Sequence, residues 1–154
     1  MAGRRPSVST GIGIPVDYST DMALFAGLRE ADVVLLGADA IFPTHFLNKV
    51  GTHALAELAR VRDVPCFIIC VANKCLPAAA ARLLKITRHS SDEVWSDAAP
   101  GVRVHNDYFE EIPLPLLTGI VTDQGLWRPD DLRTMLEQRP LLPALLRLTS
   151  EPEA

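Results

Sequence analysis

The stretch LLGADAIFPTHFLNKVGTHALAELA, residues 35–59, joins two different hydrophobic patterns. An apolar run ends at Asp39, and Gly51 opens a segment whose leucines recur at helical spacing. A continuous run of β-branched and apolar residues is typical of a parallel strand that is covered on both faces. The stretch therefore predicts a buried strand, a short irregular loop and a helix, which is the repeating unit of an α/β fold.

Strands and helices alternate along the rest of the chain. The patterns predict strands at 14–19, 32–38, 65–71, 102–106 and 117–123, and helices at 20–28, 51–62, 76–85, 128–138 and 140–149. This alternation predicts a three-layer α/β domain with a mostly parallel sheet. We expect a flexible tail at 1–13, a single domain at 14–149 and a second tail at 150–154.

The composition narrows the class of protein. The 154 residues are 48% hydrophobic and 22% charged, which suits one globular domain with a real core. A net charge of −4 without a basic stripe argues against a nucleic-acid surface. No apolar run approaches the roughly 20 residues that cross a bilayer, and no apolar segment follows the N-terminal arginines as in a signal peptide. Three cysteines, an odd number, fit a reducing compartment, so we expect a cytoplasmic protein.

The opening stretch also carries the candidate chemistry. Ligands of open α/β sheets bind beyond the carboxyl ends of the strands, where Asp39 is placed to exchange a proton with a substrate. The residues Asn48, Lys49, Gly51 and Thr52 lie at the predicted helix start, where free N–H groups and the helix dipole favour an anion. This combination predicts a site for a phosphorylated small molecule. The alternative is structural: a loop cap at Asp39 and a solvated Asn-Lys pair.

Five segments in a fixed order are more specific than this pattern. They are VVLLGADAI (33–41), LNKVGTHALA (47–56), VPCFII (64–69), NDYFEEIP (106–113) and GIVTDQG (119–125). Over about 14–127 the chain resembles the C-terminal domain of one family. That family unites methylthioribose-1-phosphate isomerase, ribose-1,5-bisphosphate isomerase and the α, β and δ subunits of eukaryotic translation initiation factor 2B. The resemblance implies a Rossmann-like sheet of the ribose-5-phosphate isomerase and CoA-transferase class.

The resemblance also implies roles for individual residues. Asp39 matches the aspartate that donates a proton during aldose–ketose interconversion in the family's isomerases. The family's Asn-Lys pair, which contacts the sugar phosphate, also has a counterpart here. So does the family's lysine after the next strand. The substrate-binding positions implied in this way are Asn48, Lys49, Gly51, Thr52 and Lys74. The resemblance implies a homodimer or a partner chain. We expect no cofactor and, because no His, Cys or acid spacing resembles a zinc site, no metal.

Two departures from the family pattern qualify the expected activity. Family isomerases also use a cysteine from a segment that follows an N-terminal helical domain, and the sequence offers no match to either. Asp123 stands where members more often carry Glu. We therefore expect a sugar-phosphate or nucleotide-phosphate binding protein of the isomerase type, in which a partner chain would supply the thiol. The alternatives are a non-catalytic regulatory or interaction subunit, and a relic with no retained ligand.

The cysteines allow two interpretations. Cys66 and Cys70 lie four apart on a predicted strand, which separates them by about 13 Å and prevents them from sharing one metal ion. Both fit the role of small core residues. Cys70 and Cys75 lie nearer the carboxyl end of that strand, where either thiol could replace the missing one if its setting were electropositive and accessible.

Overall fold

The computed structural model describes residues 13–84, 86 and 88–140. The chain divides into two compact units, Met1–Ala31 and Asp32–Ala154. The expected helix at 140–149, the tail at 150–154 and nearly all of the tail at 1–13 lie outside the described residues. The expected single domain at 14–149 stays a prediction.

The first unit is described over residues 13–31. Helix α1 covers Asp21–Gly27 after Thr20, and a 3-10 turn follows at Leu28–Glu30, which agrees with the predicted helix. The strand predicted at 14–19 is wrong, because these residues have no regular secondary structure. The physical reason is Pro15, which lacks the N–H group that a sheet ladder requires.

The larger unit contains a four-stranded sheet, sheet A. Its strands are β1 (Val34–Leu36), β4 (Cys66–Ile69), β6 (Gly119–Thr122) and β7 (Gly125–Trp127), in the order β1-β4-β6-β7. The first three are parallel to their neighbours, and β7 returns antiparallel to β6 after a tight turn. The predicted α/β class with a mostly parallel sheet is confirmed.

The loop predicted after Asp39 is wrong, because this stretch forms two strands of a second sheet. Sheet B consists of β2 (Ala40–Ile41), β3 (His45–Lys49) and β5 (Phe109–Pro113), in the order β2-β3-β5 and all antiparallel. The paired side chains of Phe46 and Ile112 are completely buried, which stabilises this arrangement. The strand predicted at 102–106 is also wrong, since pairing with β3 begins only at Phe109.

In the described part of the larger unit, three α-helices accompany the strands. They are α2 (Thr52–Val61), α3 (Asp92–Trp95) and α4 (Pro129–Gln138), with further 3-10 segments at Ala72–Lys74, Ala78–Leu83 and Leu114–Leu116. The small buried residues Ala56 and Ala59 let α2 contact β4 and β5 closely. The α-helix predicted at 76–85 is instead the 3-10 segment Ala78–Leu83. Among the described residues, no helix has the length and hydropathy that a membrane crossing requires.

Sheet A is apolar on both faces but buried more on one. Ile68 and Ile120 are completely buried, and so are Leu132 and Leu136 of α4. In contrast, Leu35 in the middle of β1 is 58% exposed. The expectation that β1 is covered on both faces is therefore wrong.

Candidate functional site

Asp39 lies at the carboxyl end of β1, as predicted, and is exposed. Its backbone N–H donates to the carbonyl oxygen of Leu47 at 2.9 Å. Ala40 pairs with Leu47 in the antiparallel hairpin, so the backbone of Asp39 lies beside Leu47, the residue that precedes Asn48. The hairpin that the sequence did not reveal therefore brings the chain at the predicted acid next to the chain at the predicted amide.

Lys74 reaches the same point from the next strand of sheet A. Its Nζ donates to the carbonyl oxygen of Ala38 at 2.6 Å, directly before Asp39. The 3-10 segment that carries Lys74 follows β4, and Asp123 fixes it by accepting a hydrogen bond from the N–H of Ala72 at 2.6 Å. The Lys74 ammonium group thus links the segments that follow β4 and β1, and the Asp123 carboxylate links those that follow β6 and β4.

The start of α2 is organised by side chains rather than left open. Asn48 Nδ2 donates to Thr52 Oγ1 at 3.1 Å, and that hydroxyl donates to the carbonyl oxygen of Lys49 at 2.7 Å. Gly51 precedes the helix with a φ of 101°, in a region that favours glycine. Asn48, Gly51 and Thr52 therefore form one turn, as their spacing predicted.

Glu110 contributes a carboxylate to this turn. It pairs with Asn48 across β3 and β5, and its Oε1 accepts the N–H of His53 at 2.8 Å. A carboxylate at a helix N-terminus is stabilised by the free N–H groups and the helix dipole. Sequence analysis did not assign Glu110 to the site, although it lies in the motif NDYFEEIP, because only the strand register reveals its position.

Lys49 is directed away from this turn. Side chains alternate along a strand, and Lys49 pairs with Phe109 rather than with Glu110. Its Nζ lies 4.1 Å from the ring centroid of Tyr108 and 4.5 Å from that of Phe109. Cation–π attraction to two rings therefore holds the ammonium group of Lys49, the residue for which the sequence predicted a phosphate contact.

Tyr108 is itself fixed by neighbours that sequence analysis missed. The His89 ring stacks on it with centroids 3.6 Å apart, and its hydroxyl donates to Glu93 Oε2 at 2.6 Å. Asn106 Nδ2 donates to the same oxygen at 2.8 Å. These hydrogen bonds lower the pKa of Glu93, and the bond to Glu93 raises the pKa of Tyr108.

The structure thus separates the predicted residues into two groups. The first group lies around the end of β1 and the start of α2 and contains Asp39, Asn48, Gly51, Thr52 and Lys74. The second contains Lys49 with its two aromatic rings. The first group combines an acid, an amide, a hydroxyl and an ammonium, a set able to bind a polar, anionic molecule and exchange a proton with it.

A surface cavity lies elsewhere and does not coincide with this group. Its volume is about 310 Å³, and its lining includes Arg60, Asp63, Pro65, Leu117 and Thr118. Pro65 and Thr118 precede β4 and β6, so the cavity is at the amino ends of parallel strands. Since ligands of such sheets bind at the carboxyl ends, we do not assign the candidate site to it.

The described residues contain no cluster of three or more His, Cys, Asp or Glu side chains that could hold a metal ion. All three cysteines are free. Burial raises the pKa of the Cys66 thiol to about 11, which fits a small core residue.

Comparisons with known proteins agree with the fold. The model of a family described as the initiation factor 2 subunit family matches residues 9–129. Methylthioribose-1-phosphate isomerase of Pelotomaculum thermopropionicum is 37% identical over 137 residues, covering 81% of this chain and 38% of that protein. Ribose 1,5-bisphosphate isomerase of Methanocaldococcus jannaschii is 31% identical over 130 residues, covering 82% of this chain and 42% of that protein.

One solved structure gives the same result in three dimensions. The crystal structure of 5-methylthioribose 1-phosphate isomerase from Pyrococcus horikoshii aligns with a TM-score of 0.66 and 32% identity. The alignment covers 80% of this chain and 37% of that chain. The chain therefore spans about two fifths of the length of these relatives.

Proposed function

This chain belongs to the initiation factor 2 subunit family, and from that premise we propose that the carboxyl end of β1 binds a phosphorylated small molecule. The ligand class is a sugar phosphate or a nucleotide phosphate. Two relatives are named as isomerases of phosphorylated ribose derivatives, which supports this class. The observation that carries the proposal is the 2.6 Å contact of Lys74 Nζ with Ala38, because it puts a cation beside Asp39.

The proposal gives each side chain a distinct role. Lys74 attracts the phosphoryl group, while Asn48 and Thr52 donate or accept hydrogen bonds with sugar hydroxyls. Asp39 is the acid and base that moves a proton between neighbouring carbons if the chain takes part in an isomerisation.

Lys49 is the second phosphate contact in the proposal. An exposed cation–π contact is worth only about 0.5–1 kcal/mol, so a doubly charged phosphate can compete for the ammonium group. The flexible four-carbon stem of lysine allows the group to leave the rings. Lys49 therefore exchanges aromatic neighbours for the ligand on binding.

Thermal unfolding with added ligands tests binding. The ligands are ribose 1,5-bisphosphate, methylthioribose 1-phosphate and AMP, and unphosphorylated ribose is the control. A ligand present at 100 times its Kd stabilises the folded state by about 2.7 kcal/mol. We expect Lys74→Met and Lys49→Met to remove most of the shift, and Arg133→Met, which removes an exposed cation on α4, to leave it unchanged.

Two results would contradict the proposal. The first is the absence of a shift with every phosphorylated ligand. The second is a shift that survives Lys74→Met.

Turnover is measured separately with wild type and Asp39→Asn, and an isomerisation rate that is unaffected by Asp39→Asn would exclude the proposed acid and base. Association with a second copy or a partner chain stays a prediction, which sedimentation velocity of the purified chain tests.

A further inference from the structure

One face of sheet A is exposed to solvent. Side chains in register on neighbouring strands lie on the same face, so the strand pairing defines this face directly. Its residues form two rows, Leu35, Phe67 and Gly119 in one and Ile69, Val121 and Leu126 in the other. Leu35 is 58% exposed, Ile69 51% and Leu126 67%. We call the surface made by these six residues the open face.

The side chains of the open face are packed against one another. A Cβ built on Gly119 would lie 3.0 Å from Leu126 Cδ1 and 3.0 Å from Phe67 Cε1. The two side chains therefore converge over the glycine from the strands on either side of β6. A continuous apolar surface of this kind marks an interaction site, whereas single exposed leucines do not.

No charged side chain interrupts the strands that carry the open face. All of their residues are neutral, over Val34–Leu36, Cys66–Ile69, Gly119–Thr122 and Gly125–Trp127. A partner that placed a charge on this surface would lose the hydration of that charge without gaining an ion pair. The occupant of the open face must therefore present an apolar surface of its own.

The sequence offers an apolar surface directly after the last described helix. Residues 141–149 read LLPALLRLT and contain five leucines and one charge, Arg147. At about 100° per residue, a helix would place the five leucines on one side and Arg147 on the other. Pro143 falls in the first turn of such a helix, where its missing N–H breaks no helical hydrogen bond.

Helix α4 ends beside the carboxyl edge of sheet A. Arg139 Nη1 donates to the carbonyl oxygen of Cys75 at 3.0 Å, and Cys75 follows β4. The chain after Pro140 therefore starts from an edge that both faces of the sheet share. Nine helical residues extend about 14 Å. The three strand spacings from β1 to β7 also amount to about 14 Å, so one such helix can cross the whole open face.

We propose that residues 141–149 form a helix that packs its leucines on the open face of sheet A. The face needs an apolar occupant, and this segment supplies one from the same chain. Its direct continuation from α4 keeps the entropy cost of bringing the two together small. The packed helix gives the mostly parallel sheet the cover on its second face that such sheets require. The proposal does not depend on the proposed ligand.

Photo-cross-linking in the full chain tests this contact. The photoreactive residue p-benzoylphenylalanine replaces Leu145 in the test variant and Arg147, on the opposite side of the helix, in the control variant. After irradiation, the single-chain species is isolated, digested with trypsin and analysed by mass spectrometry. We expect the test variant to link to peptides 30–49, 63–74 or 104–133, which carry the strands of sheet A. The control variant should give little of these products.

A charge placed on the open face provides a second test. Leu126→Glu should remove most of the cross-linked product of the test variant, because the leucines of the segment would meet a carboxylate. Val61→Glu is the matched control, since Val61 is 75% exposed on α2, and it should leave the yield unchanged.

Four results would overturn the proposal. They are equal cross-linking from positions 145 and 147, the absence of links to the strands of sheet A, full persistence of the links in Leu126→Glu, and links found only between two chains. The last result would assign the open face to a second copy instead.

Discussion

At the scale of single residues, Glu93 is the group whose charge depends most visibly on its neighbours. Hydrogen bonds from Tyr108 and Asn106 hold its pKa below the usual value of 4.5. Because the folded-state pKa is lowered, the contribution to stability is present above pH 4.5 and is lost as the pH falls through the folded pKa. Tyr108→Phe removes the first of these donors, so we expect the pKa of Glu93 to rise toward 4.5.

An NMR titration of the side-chain carboxyl carbons measures this change. Tyr18→Phe is the matched control, since Tyr18 is 86% exposed and lies in the other unit. A Glu93 titration that is identical in wild type and Tyr108→Phe would show that the 2.6 Å contact does not form in solution.

The residue scale also shows what sequence could and could not predict about the site. From their residue types and their distance from strand and helix ends, Asp39, Asn48 and Thr52 were predicted to share a site, and of these Asn48 and Thr52 are hydrogen-bonded to each other. Glu110 and Tyr108 lie about sixty residues later, and they enter the site only through the pairing of β5 with β3. Sequence patterns carry no register between distant strands, so these two were missed.

At the scale of elements, the turn into α2 depends on one backbone conformation. Gly51 has a φ of 101°, which a residue with a Cβ adopts only under strain, although the space around it is open. We expect Gly51→Ala to lower the free energy of unfolding by about 1–2 kcal/mol. Gly37→Ala is the control, because its backbone is unstrained and its Cβ would meet nothing within 4 Å. Urea unfolding measures both.

Equal stability of the two alanine variants would mean that the turn relaxes. Strands β1, β4 and β6 were predictable because each lies within a longer apolar run of the sequence, and helices α2 and α4 because each shows a helical hydrophobic period. Strand β2 has only two residues, and its pairing with β3 is too short to leave an alternating pattern. The six residues Ala78–Leu83 have the composition of an α-helix, yet they form a 3-10 segment.

At the scale of the whole molecule, stability is uneven within the described residues. The stretch 96–108 has no helix or strand, and Arg103 within it is exposed. Arg60 and Arg133 lie in α2 and α4, where cleavage requires local unfolding. Within residues 13–140, we therefore expect native trypsin to cut after Arg103 before it cuts after Arg60 or Arg133. A time course of fragment masses checks the order, and an initial cut at Arg60 would contradict it.

The fold class was the most predictable property of the whole molecule. Alternating strands and helices predict an α/β arrangement because each parallel connection needs a crossover, and that prediction is confirmed. The domain bounds stay a prediction.

The position of Glu110 has a consequence for how a guest molecule would orient itself. A fixed negative charge already occupies the first N–H groups of α2, so a second negative charge brought to that point would be repelled. A positive charge is supplied instead by Lys74, whose Nζ contacts the carbonyl oxygen directly before Asp39. A phosphorylated molecule would therefore direct its charged groups toward the two lysines and its hydroxyl groups toward the start of α2. The positions of these charged side chains would therefore fix the orientation of the bound molecule.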